Sequence, residues 1–161
     1  MSNVVIRKAL LNDSAQILQL MRQLAEFEGY ADQFKVTQQT IETRCIENPD
    51  IGIFVAETNS AIKGILVYFI QPFTYDLSPW LIVKELYIAE DARSLGIGRQ
   101  LMQAAATHCL QIGGTKMKWE VLTKNDKAKA FYQSLGAELT DDWQTMSLSC
   151  LLYTSPSPRD S

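Results

Sequence analysis

The segment Arg93-Ser94-Leu95-Gly96-Ile97-Gly98-Arg99 combines two glycines one residue apart with an arginine on either side. Such a segment suits an anion, and above all a pyrophosphate. Glycine lacks Cβ, so the backbone there can take dihedrals closed to other residues and phosphate oxygens can come close to the amides. Downstream, Ile97, Leu101, Met102, Ala105, Cys109 and Ile112 recur at helical spacing until Gly113 and Gly114 end the pattern. The first N–H groups of such a helix lack intrahelical partners and carry the positive end of its dipole. Arg93 and Arg99 can add charge-assisted contacts. The third glycine of a dinucleotide fingerprint is absent, and no Gly-Lys-Ser/Thr is present for a nucleotide P-loop.

The elements that must position this loop are legible on both sides. Leu81 to Ile88 is mostly apolar, β-branched or aromatic, as a largely buried strand requires. Val4 to Arg7 reads as a first strand, and Asn12-Asp13-Ser14 offers capping side chains for a helix carrying Ile17, Leu20, Met21, Leu24 and Ala25 on one face. A short helix is expected to start near Thr37. Ile51 to Glu57 and Ile62 to Ile70 read as two strands of a hairpin turned at residues 58–61, with a loop from Gln71 to Pro79. After the glycine loop and its helix, Met117 to Leu122 reads as a strand and Asp126 to Leu135 as a helix stopped by Gly136. Trp143 to Leu148 reads as a last strand. The unit from Leu81 to Leu122 should be parallel, so the expected fold is α/β with a mixed sheet.

Composition bounds the possibilities. A chain of 161 residues that is 47% hydrophobic can bury a single substantial core, which predicts one domain over residues 1–150. A net charge of −3 without a Lys/Arg cluster disfavours nucleic acid as partner. No window approaches the ~20 apolar residues of a membrane span, and Met1-Ser2-Asn3 does not resemble a signal peptide, so membranes are disfavoured and the cytoplasm is the expected location. Cys45, Cys109 and Cys150 are widely spaced, giving neither a disulfide framework nor a metal site. His108 is the sole histidine and lies in the helical stretch, which gives little support to a Ser-His-Asp triad. The tail from Tyr153 to Ser161 turns Ser/Pro-rich and is expected to be disordered. Residues 151–160 resemble translated sequencing-adapter sequence, in which case the natural C-terminus is missing.

The pattern Arg93-x-x-Gly96-x-Gly98, between a strand and an amphipathic helix, resembles the acetyl-CoA signature of the GNAT superfamily of N-acetyltransferases. Val5-Ile6-Arg7-Lys8-Ala9 with Asp13, Leu24 to Glu28, Val55-Ala56-Glu57, Phe73 to Asp76 with Pro79-Trp80, and Asn125 with Phe131-Tyr132 and Gly136-Ala137 resemble the diamine (spermidine/spermine-type) acetyltransferase branch. The likeness runs from about Val4 to about Leu148. It implies a mixed sheet of six to seven strands with about four helices, and a splayed parallel pair that admits the pantetheine arm of acetyl-CoA. By resemblance, Leu86, Tyr87 and Ile88 would bind that arm through their backbone. Arg93, Ser94, Leu95, Gly96, Ile97, Gly98 and Arg99 would hold the pyrophosphate, and Asn125, Asp126, Lys127 and Ala128 would touch the cofactor from the next loop. Tyr132 matches the tyrosine that serves the departing CoA sulfur. The same branch implies a homodimer, and the acetyl transfer calls for no metal.

The chemistry explains the demand for these groups. Attack on a thioester needs a neutral amine, and an alkylamine of pKa ~10.4 is only about 1 part in 2,500 neutral at pH 7, a penalty of roughly 4.6 kcal/mol. A base must offset it, and donors must meet the charge developing on oxygen and sulfur. Glu85 and Glu28 are the candidate bases. Phe27, Glu28, Trp80, Lys84, Trp119, Glu120 and Asp141, the last beside Asp142, are the candidate substrate contacts. Where the diamine branch carries a Glu-Asp pair this chain has Lys84-Glu85, and strand alternation would point Glu85 to the face opposite Lys84. A lysine there would repel a polycation and suit a substrate with a carboxylate. The expected activity is therefore acetylation of a polyamine, diamine or thialysine-like amino acid. A non-catalytic acyl-CoA-binding module and a protein or peptide N-acetyltransferase are the alternatives.

Overall fold

A computed structural model describes residues 3–48 and 50–151. The backbone divides into two compact units, Met1–Leu122 and Thr123–Ser161. In the first unit the strands are β1 (Val4–Lys8), β2 (Gly52–Thr58), β3 (Ala61–Pro72), β4 (Pro79–Ile88) and β5 (Lys116–Trp119), and the helices are α1 (Ser14–Glu28), α2 (Gln38–Ile41) and α3 (Ile97–Gln111). A π-helical segment, Glu42–Glu47, continues α2. The second unit carries α4 (Asp126–Ser134).

The sheet order is β1-β2-β3-β4-β5. The first four strands pair antiparallel, and β4 pairs parallel with β5 as the strand-helix-strand reading required. The β2–β3 hairpin turns at Asn59 and Ser60, both with positive φ (51° and 67°), a backbone that matches the twist of the flanking strands. Apolar side chains alternate across β3 and so feed two layers. Ile65 and Val67 join Ile17, Leu20, Ile41, Ile53 and Val55 in a core beneath α1 and α2. On the other face a side chain at Gly64 would meet Ile88, Ile97 and Leu101 at 3.0–3.2 Å, so α3 lies close against the sheet there.

Three expectations change. The sheet holds five strands among the described residues, not six or seven. Residues 143–148 form no strand: Trp143 is 88% and Met146 94% exposed, and a ladder needs a neighbouring edge to satisfy its backbone groups. Asp13 sits at the N-cap of α1 without capping it, because its carboxylate is engaged by Arg7 and by the Leu10 N–H. The expected disorder of the tail from Tyr153 lies outside the described residues.

Candidate active site

β4 is interrupted at one residue, and that interruption organises the site. Val67 of β3 opposes Glu85, whereas the next residue, Tyr68, opposes Val83, leaving Lys84 as the extra residue of a β-bulge. The ladder between β4 and β5 ends at the same point. It pairs Trp80 to Val83 with Lys116 to Trp119 and goes no further. From Lys84 to Ile88 the strand therefore has no β5 partner, and Leu86, Tyr87 and Ile88 lie on a backbone edge able to bond an extended guest.

The bulge overturns the expectation that Glu85 and Lys84 point to opposite faces. Glu85 opposes Val67, which packs beneath α1. The Lys84 ammonium lies 6.0 Å from the ring centroid of Phe69, two residues along β3 on the same face as Val67. Both side chains thus share the α1 face, where Glu28 ends that helix. Burial first, and the negative charge of Glu28 second, hold the Glu85 carboxyl above the ordinary carboxylate range, with Lys84 opposing. A half-buried carboxylate within electrostatic reach of a second one can bind a cationic amine and take its proton.

The neighbouring residues brace this face. The Tyr87 hydroxyl donates to Gln23 Oε1 of α1 at 3.4 Å. Phe27, 71% exposed, lines with Gln19, Gln23, Lys63, Tyr87 and Glu90 a groove of about 750 Å³ along α1. Gln23 and Phe69 carried no signal in the sequence, since each matters only through a partner that the fold supplies. Trp80, an expected substrate contact, is held by its neighbours. Phe73 stacks on its indole at 4.4 Å with 9° between the planes, while the Lys116 ammonium lies 4.5 Å and that of Lys118 5.9 Å from the ring centroid. Trp80 is thereby tied to the β3–β4 loop and to β5. Trp119 closes the β4–β5 ladder, and Glu120 follows it, exposed.

The glycine loop takes unusual dihedrals at Gly96 but, against expectation, not at Gly98, which lies in the first turn of α3. Ser94 and Gly96 take positive φ (68° and 78°), and α3 begins at Ile97. A Cβ at Gly96 would meet nothing within 4 Å, so the requirement for glycine is conformational and the space above it is open. The amides of Ile97, Gly98 and Arg99 in the first turn of α3 are the orphan donors of a helix start. Arg93 folds back: its Nε donates to the Ile88 carbonyl at 3.1 Å and its guanidinium lies 5.6 Å from the Tyr87 ring centroid. The arginine thus ties the loop to the end of β4. An unpaired strand edge leading to a helix start with open, left-handed loop residues fits an acyl-CoA, whose pantetheine arm carries amides and whose pyrophosphate is an anion.

In the second unit, Asn125 caps α4, its Oδ1 accepting from the Ala128 N–H at 3.0 Å. That bond commits two of the expected cofactor contacts to each other. Asp126 and Lys127 are exposed in the first turn, and Asp141 is exposed. Tyr132, half-buried, lies beside Phe131 with ring centroids 5.3 Å apart.

Comparison with known proteins decides the family. The model of the acetyltransferase (GNAT) family matches residues 16–137. The chain belongs to that family. Thialysine N-epsilon-acetyltransferase of Sus scrofa is 31% identical over 155 residues, covering 88% of each chain. Spermidine/spermine N(1)-acetyltransferase-like protein 1 of Homo sapiens is 26% identical over 144 residues, covering 82% of this chain and 20% of that protein. Among solved structures, aminoglycoside N-acetyltransferase AAC(6')-Iy in complex with CoA superposes with a TM-score of 0.74 at 18% identity, covering 93% of this chain and 97% of that one, and so shares the GNAT fold. The chain is an acyltransferase, its relatives are consistent with the diamine-acetyltransferase branch, and the non-catalytic module is set aside. Among the described residues no helix is long and apolar enough to cross a membrane.

Proposed function

We propose that this GNAT acyltransferase takes the acetyl group of acetyl-CoA and transfers it directly to the primary amine of a small molecule. The observation that carries the reading is the half-buried Glu85 on the α1 face of β4, beside the point where pairing with β5 stops, with Glu28 at the end of α1 within electrostatic reach. Acetyl-CoA supplies an activated acyl thioester. The backbone of Leu86, Tyr87 and Ile88 would bond its pantetheine arm, and the amides of residues 94–99 its pyrophosphate. By resemblance alone, Asp126 and Lys127 are further candidate cofactor contacts. Glu85 would take the amine proton, directly or through water, with Glu28 and Phe27 holding the acceptor. The Tyr132 hydroxyl would donate to the leaving sulfur.

The acceptor on this reading is a diamine or polyamine, or an amino acid with a side-chain amine such as thialysine; the relatives' names supply both options. Both compact units would form one acetyltransferase domain over residues 1–150, which the family match supports by crossing the boundary between them. A homodimer is proposed on resemblance alone, and the cytoplasm on the sequence reading above.

Release of CoA thiol across a panel of amines tests the proposal. Amine-dependent release is expected, with Tyr132→Phe lowering kcat by about 10²-fold, the lower end of what a positioned acid contributes. Release from no amine despite acetyl-CoA binding would overturn the small-amine reading in favour of a protein or peptide substrate.

A further inference from the structure

The charged groups around Glu85 can be set against what an acceptor brings to them. In a regular strand Lys84 would point to the α3 face and leave Glu85 and Glu28 as a purely anionic receptor, complementary to a chain of ammonium groups. The bulge instead turns Lys84 onto the same face. Lys84 is exposed, and its ammonium rests near the Phe69 ring. Among the described residues no carboxylate lies within ion-pair distance of it. Farther along the face Lys63 is paired with Asp91, so the charges that act on Glu85 itself are one carboxylate, Glu28, and one cation, Lys84.

A linear polyamine presents positive charge at every nitrogen. Its reacting amine would suit Glu28 and Glu85, but another ammonium along the chain would meet Lys84 with like charge and no compensating contact. An acceptor carrying a carboxylate as well as an amine gives each of the three groups an opposite partner. Discrimination by an unpaired or like charge is the repulsive half of specificity, and it needs no further contact to act.

We infer that Lys84 is a specificity-determining residue, selecting an acceptor that carries a carboxylate together with its reacting amine over a linear polyamine. The inference rests on the amine-acetylation reading above and narrows its substrate class. It also assigns the β-bulge a purpose, since without the bulge the lysine would face α3 and have no bearing on the acceptor.

Matched acceptors isolate the carboxylate. Lysine and cadaverine differ only in that group, as do ornithine and putrescine. With the full chain and saturating acetyl-CoA, kcat/KM for lysine should exceed that for cadaverine by tenfold or more, mostly through KM. Lys84→Gln should reduce the ratio at least tenfold, Lys84→Glu should reverse it and admit spermidine, and Lys84→Arg should retain it. An unchanged ratio in Lys84→Gln, with CoA release intact, would overturn the inference and leave the acetyltransferase reading standing. Absence of CoA release from all of these amines in the unmodified protein would bring down that reading itself, a separate result from a lost preference.

Discussion

Glu85 is held above its ordinary range, and the causes point in a testable direction. Burial disfavours the charged form, Glu28 adds like-charge repulsion, and Lys84 works against both. A proton acceptor must be ionised to work, so the acidic limb of the pH–rate profile should follow Glu85 and lie above that of a free glutamate. Glu28→Gln removes a negative neighbour, which should shift this limb to lower pH; Lys84→Gln should shift it higher. Glu85→Gln should cost about 10²–10⁴-fold in kcat. A limb unmoved by Glu28→Gln would show that the two carboxylates do not communicate, and would separate Glu28 from the chemistry. The residue types of this site were legible in the sequence, but their relation was not. Whether Lys84 and Glu85 share a face depends on the register with β3, which no local pattern encodes.

The same contrast holds for elements. The β4–loop–α3 unit could be read because all its determinants are local: an apolar run, two glycines and a helical stripe ending at Gly113, which takes φ 91°. The bulge, the four-residue ladder to β5 and the failed strand at 143–148 are all pairing events, and pairing is decided by a neighbour distant in sequence. Asp13 shows the same limit at shorter range, since its type suits a cap but Arg7, six residues earlier on β1, claims its carboxylate. Gly96 gives the local unit a direct test. Its φ of 78° with open space around the Cβ position means that Gly96→Ala pays for conformation and not for a clash, about 1–2 kcal/mol. If the loop keeps its shape, stability falls by that amount. If the loop relaxes instead, the amides turn away and the KM for acetyl-CoA should rise, up to about tenfold, with the acceptor KM unchanged. An alanine variant with unaltered stability and unaltered acetyl-CoA KM would remove this loop from the cofactor site.

At the scale of the folded chain, stability and catalysis draw on different charges and should respond to pH in different windows. Asp13, 4% exposed, joins the entry of α1 to β1 through two hydrogen bonds from Arg7, at 2.7 and 3.0 Å, and accepts a third from the Leu10 N–H at 2.7 Å. Arg7 also reaches Glu57 of β2 at 3.3 Å, so one guanidinium links three segments of the first unit. The Arg7 bond is the first cause holding the Asp13 carboxyl below its ordinary range. A depressed carboxylate contributes stability that is complete above the unfolded-state value, near 3.9, and that is lost as pH falls through the lower folded-state value. Arg7→Met would leave a buried carboxylate without its cation and should cost about 3–5 kcal/mol at pH 7. The deficit should hold between pH 7 and 5 and shrink below pH 4, because Asp13 can then be protonated in the variant at little cost while the native protein loses its own advantage. Chemical denaturation of both proteins across that range checks this, and a deficit that stays constant to pH 3 would mean that Arg7 stabilises the fold by packing its stem and not by its charge.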